Sequence, residues 1–219
     1  MNRELVMSTL FDMLQQPPMI FAFTADLTAG DVTLANVSDT TGLMIGMPVS
    51  GDGIPEHAAI ATITPTVTIS VPAIADRTAS AMTQGFQTVS RRLASPSEEA
   101  DMPSMYLLDI GEEHLPRGSN EPGQIVVSAE LWIFSDAGED PDAVPASELN
   151  YLLDAVERAI DPPFNNPGGL RQNLNLHGVI YARIEGEVMK DPGHNGRLAG
   201  AIVPLKIRVG QGVENYPNS

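Results

Sequence analysis

The sequence predicts an α+β protein: a largely antiparallel sheet with two helices on one face, and a small all-β domain inserted near the start. Three observations carry this. Two segments, near residues 2–16 and 147–160, space their apolar residues with helical periodicity. At least four segments alternate apolar and polar residues with a period of two. Between Phe23 and Thr83 the texture shifts to short threonine-rich alternations broken by Gly and Pro.

The first helix is read from Val6, Leu10, Met13 and Leu14, and Pro17-Pro18 stops it. In the insert, GDVTLANV alternates Val32 and Leu34 with polar residues, and PTVTISV does the same with Val67, Ile69 and Val71. The stretch TTGLMIGMPVSGDGIPEHAAIATIT (40–64) supplies turns through its glycines and prolines. Leu43, Ile45, Val49, Ile54, Ile60 and Ile63 are expected to fill a small core there. The domain organisation is therefore discontinuous, 1–22 with 84–219 as the main unit and 23–83 as the insert. About 60 residues bury little surface alone, so the insert is expected to lean on a neighbour.

After the insert, a strand is expected from Ser104 to about Ile110. The strongest strand pattern is QIVVSAELWIF (124–134), with Ile125, Val127, Ala129, Leu131 and Ile133 on one face and Trp132 and Phe134 on the other. The second helix, SELNYLLDAVERAI, has a stripe of Leu149, Leu152, Leu153, Val156 and Ile160, and Asp161-Pro162-Pro163 ends it. HGVIYARIEGEVM is expected to turn Ile180, Ala182, Ile184, Gly186 and Val188 to one side, with Tyr181, Arg183, Glu185 and Glu187 opposite. LAGAIVPLKIRV turns Val203, Leu205, Ile207 and Val209 inward. Pro204 cannot donate to a ladder, which predicts an edge strand or a bulge there.

Composition narrows the function. The chain has 219 residues, 28 Asp and Glu against 12 Lys and Arg, a formal charge of −16, and no cysteine. Disulfides and thiolate metal sites are excluded. So acidic a surface does not neutralise phosphates and argues against nucleic-acid affinity. The insert alone carries one basic residue, Arg77, against six acids. The amino-terminal stretch holds Glu4 and Asp12 and is not read as a signal peptide. No apolar run approaches the ~20 residues that span a bilayer, and no membrane partner is expected.

Candidate chemistry is sparse. His57, His114, His177 and His194 lie in separate regions without a second ligand at metal spacing. SGDGIP has two glycines of a dinucleotide loop but opens no helix. Asp136, Glu139, Asp140 and Asp142 could gather calcium, yet they lack the EF-hand order and are read as solvated turn acids. Glu185 and Glu187 are explained by the polar face of a strand. No nucleophile, hydrolase or P-loop motif occurs, so a binding or assembly role is expected, with no enzyme activity and no cofactor. Candidate contact residues are Arg91 and Arg92, the run Glu112, Glu113 and His114, then Arg117, and the aromatics Trp132 and Phe134.

The order of elements, with phrases such as MPSMYLLDIGEE, LNYLLDAVERAI, RIEGEV and AIVPLKIRV, resembles tail terminator (tail completion) proteins of long-tailed bacteriophages over residues 1 to about 20 and 86 to 209. The stretch 40–64 with the following VTIS strand resembles a small β module of phage virion proteins. The resemblance implies a virion structural protein of the tail–neck region, assembled in the host cytoplasm. It implies a homo-oligomeric ring, commonly of six subunits, that caps the tail tube and ends its polymerisation. The ring's other partner is a neck, stopper or head-completion protein, and DNA passes through its lumen without specific binding. Another neck or tube component is the nearest alternative. A carbohydrate- or cell-surface-binding module is a different one, disfavoured because the insert has only Phe23 near its start and no Trp or Tyr for sugar stacking.

Overall fold

The computed structural model describes residues 2–93, 102–116, 118, 123–136, 146–160, 174–191 and 198–215, with the side chains of 146 and 211–215 not described. Strand predominates over helix. The first helix, α1 (Arg3–Leu14), is capped by the Asn2 side chain, which accepts from the Leu5 amide at 3.1 Å. Its buried residues are Val6, Met7, Leu10, Met13 and Leu14, which contain the expected stripe.

The chain then enters the insert through β1 (Ile20–Leu27) and leaves it through β6 (Arg77–Gly85). These two pair antiparallel from Ile20↔Gly85 onward. The insert is built from two small antiparallel sheets. One has the order β1-β6-β3, where β3 is Val49–Gly51. The other has the order β2-β5-β4, from Thr33–Leu34, Val67–Ile69 and Ile60–Thr62. Between them lies a separate core of Phe23, Leu27, Leu34, Leu43, Val49, Ile54, Ile60, Val67, Ile69 and Met82. Ile63 is half-buried against this core, but Ile45 is 54% exposed, contrary to expectation. It lies in the Leu43–Met47 turn, whose other apolar side chains take the inward positions, so it is left outside.

The main unit is a six-stranded sheet in the order β10-β12-β9-β8-β7, with β11 paired beside β10 on β12. The strands are β7 (Thr88–Ser90), β8 (Ser104–His114), β9 (Ile125–Asp136), β10 (Leu176–Ile184), β11 (Met189–Asp191) and β12 (Leu198–Asn215). All pairs are antiparallel except β7 with β8, so the sheet is mixed. The strand alternation in β9 is as the sequence implies: Ile125, Val127, Ala129, Leu131 and Ile133 are buried, with half-buried residues between them. Facing them on the neighbouring strands are Met105 and Leu107 of β8, and Val203, Leu205 and Ile207 of β12. Helices α1 and α2 (Ala146–Ile160) pack on this one face through Leu10, Leu14, Leu149, Leu152 and Val156.

Two strand expectations are corrected. β12 lies inside the sheet, between β10 and β9, although it contains Pro204. The break falls in its neighbour: β10 stops at Ile184 and the chain resumes pairing only at Met189. The missing Pro204 donor therefore meets a gap, while its carbonyl accepts from the Glu185 amide at 3.1 Å. Glu185 and Glu187 lie in that gap and not on a strand face. The second correction is Ile180, 48% exposed because the register of β10 shifts between Val179 and Tyr181, which turns Val179 inward instead.

The insert and the main unit are packed together. Met19 and Met47, both fully buried, belong to the main core. Gly46 (φ 84°) lies so close to the Tyr151 ring of α2 that a Cβ would overlap it. Gly85 (φ 99°) abuts the Met19 carbonyl oxygen in the same way.

Candidate functional site

The candidate contact residues divide by place in the fold. Glu112, Glu113 and His114 end β8, beyond the point where β7 flanks it, and all three are exposed. A bulge between Asp109 and Gly111 shifts the register there, so that Glu112 pairs with Val127 and His114 with Ile125. This turns Glu112 toward the helix face. Its Oε1 accepts from Arg3 Nη2 at 2.8 Å, its other oxygen accepts from Arg3 Nε, and His114 Nε2 lies 3.4 Å away.

Arg91 follows β7 and makes the matching contact at the other side of the same helix turn, donating to both carboxylate oxygens of Glu4. Of the candidate contact residues Arg91 and Arg92, one is engaged within the chain. Arg91 pairs with Glu4, while the Arg92 amide bonds Ser90 Oγ and its side chain is exposed. Hydrogen bonds from Arg91 hold Glu4 below the usual carboxylate range, and those from Arg3 do the same for Glu112. Arg117, Glu139, Asp140, Asp142 and His194 lie outside the described residues.

Trp132 and Phe134 stand on the sheet face away from the helices, beside Tyr106. Phe134 meets Tyr106 edge-on at 6.1 Å and Trp132 at 6.5 Å. Trp132 Nε1 donates to Glu130 at 2.8 Å, which satisfies the indole within the chain. The Tyr106 hydroxyl is buried without a hydrogen-bond partner among the described residues.

Two clefts accompany these surfaces. One, of about 390 Å³, lies between α2 and the β10–β11 break, with Leu153, Val156, Ile184, Val188 and Val203 as its apolar lining and Asp154, Glu157 and Lys190 alongside. Lys190 Nζ crosses it to Asn150 Oδ1 at 3.1 Å. The other, about 370 Å³, separates the insert from the start of α2 and includes His57, Gln87, Asp136 and Glu148. Burial pushes the Glu148 carboxyl up, His57 opposes this and Asp136 adds to it. Glu185 accepts from Arg183 at 2.8 and 2.5 Å. Among the described residues no three His, Asp or Glu side chains are placed to hold a metal ion. No described helix is long and apolar enough to cross a membrane.

The sequence reading missed the two exposed isoleucines at opposite borders of the sheet. Ile110 is the extra residue of the β8 bulge and is 55% exposed; Ile180 takes the same place in β10. The available signal for Ile110 was the failed alternation in LLDIGEE, where an apolar residue stands between an acid and a glycine. Compared with protein-family models and with curated proteins, the chain matches none.

Proposed function

We propose that this chain is a ring-forming structural protein of a phage virion, of the tail-terminator type. The ring, commonly of six copies, caps the tail tube, ends its polymerisation and presents a surface to a neck or stopper protein, while DNA passes through the lumen. The observation that carries this reading is the order of elements around one sheet. A first helix, the strand pair β8–β9, a second helix and the strand pair β10–β12 succeed one another, both helices pack on one face, and the small β unit enters between the first helix and the sheet. This is the arrangement that the resemblance implies. The strongly acidic composition suits a bore through which DNA must slide without adhering.

The test is assembly. Purified protein, alone and mixed with the tail tube protein of the same virus, is measured by light scattering and imaged by negative-stain electron microscopy. Closed rings that also cap tubes at one end are expected. A strict monomer at high concentration that leaves tube length unchanged overturns the proposal. Stacking of the chain into a continuous tube would instead favour a tube subunit.

A further inference from the structure

Among the described residues, the main sheet ends on two strands with backbone that no neighbouring strand pairs. At one border, β8 continues from Leu107 to His114 past the three-residue β7, and every residue from Asp109 onward is exposed. At the other border, β10 has β12 on one flank and no strand on the other among the described residues. β8, β9, β12 and β10 alternate in direction, so β10 runs opposite to β8. A second copy rotated about an axis along the strands therefore brings its β8 antiparallel to the first copy's β10, and the alternation continues across the junction. The free lengths agree: eight residues of β8 against nine of β10.

The two strands differ in charge. The free part of β8 carries Asp109, Glu112 and Glu113 and no Lys or Arg; β10 carries Arg183 and no acid. Behind Arg183, whose guanidinium lies over Tyr181 and reaches Glu185, Lys206 and Arg208 of β12 bond the neutral Ser128 and Gln124. Arg183 and Glu112 are each ion-paired within the chain, so strand direction, free length and the exposed isoleucines, more than charge, mark the two borders as a match. Charges and bulges are devices that keep sheet borders free, yet here each bulge presents an exposed isoleucine. We infer that these borders are the two halves of one contact, and that the partner is a second copy of this chain. The contact is heterologous, each copy giving β8 and receiving on β10, and such contacts generate rings when the rotation closes. The inference rests on the ring reading and names the surfaces that the ring would use.

The chain has no cysteine, so the contact is tested with Ile110→Cys, Ile180→Cys and the double variant, each treated with a short bis-maleimide. The two sites lie at opposite borders of one copy, so the double variant should give a ladder of cross-linked oligomers and each single variant only monomer on denaturing gels. Cross-linked dimer from either single variant would mean like borders meet and overturns the inference. So does the absence of a ladder from a double variant that light scattering shows to be assembled. If the unmodified protein never leaves the monomer, the ring reading itself fails, and the contact with it.

Discussion

Arg3, in the first turn of α1, donates two hydrogen bonds to Glu112, 109 positions later at the outer end of β8, and Arg91 does the same for Glu4 one residue on. The start of the first helix is thereby tied to both sides of the β7–β8 border. These pairs are exposed, so they position the helix more than they stabilise the fold. The buried stripe does the latter: Leu10→Ala should cost about 2–5 kcal/mol, and the Arg3→Ala, Arg91→Ala double variant much less. Both glutamates are held below their usual range, so their contribution is present above the ordinary glutamate value of about 4.3 and is lost as pH falls through the depressed values. The Tm gap between wild type and the double arginine variant should be visible at pH 7, shrink with added salt, and close in acid. A gap that persists at low pH would contradict this account.

Glu148 behaves in the opposite sense. Burial raises its folded-state value, so folding is favoured most when it is protonated, and that advantage declines as pH rises through the raised value. Glu148→Gln keeps the shape and removes the charge. The variant should melt higher than wild type at pH 7, and the two should converge toward pH 4. A variant less stable than wild type at neutral pH would mean that attraction to His57 outweighs the burial cost.

Gln84 is fully buried and pins the turn at 42–44: its Oε1 accepts from the Met44 amide at 2.7 Å, and its Nε2 donates to the Gly42 carbonyl at 3.1 Å. Gln84→Ala strands both backbone groups and should lower stability by roughly 2–4 kcal/mol, measured by urea denaturation. Gly85→Ala, next to it, must place a Cβ against the Met19 carbonyl at a positive φ, and a loss of at least about 2 kcal/mol is expected. A near-neutral outcome for both would mean that the seam yields easily.

How much of this was legible in the sequence depended on regular spacing. β9 was readable because its alternation runs unbroken from Ile125 to Ser135, and α1 because Val6, Leu10, Met13 and Leu14 share one stripe. β10 was misread because a single extra residue, Ile180, reverses which side chains face inward, and a bulge leaves no mark in composition. Pro204 correctly signalled a missing ladder bond, but the chain answered it with a gap in the neighbouring strand. The parallel pairing of β7 with β8 was also invisible, since Thr88–Ser90 is too short for any period to show. The candidate surface was half found. Its charges, Glu112 and Glu113, stood out as a run, whereas its isoleucines are exposed only through bulges that three-dimensional pairing creates.

The seam between insert and main unit sets the outcome of removing the insert. Ala22 and Thr83 are register partners on adjacent strands, so residues 23–82 can be replaced by Asn-Gly, a pair that closes two-residue hairpins. The insert keeps its own core, and its loss leaves most of the main core in place. It does remove Met47, which lies beside Met19 around Gly85, and the Gly46 turn that packs on the Tyr151 ring, so Met19 and Tyr151 are uncovered. The loss of one fully buried methionine alone is worth about 2–5 kcal/mol. The shortened chain should therefore keep a cooperative unfolding transition by circular dichroism, with a midpoint well below that of the full chain. Substituting Met19, now exposed, with a polar residue should recover solubility more than stability. A shortened chain without any cooperative transition would mean that residues 23–82 and the main sheet form a single folding unit.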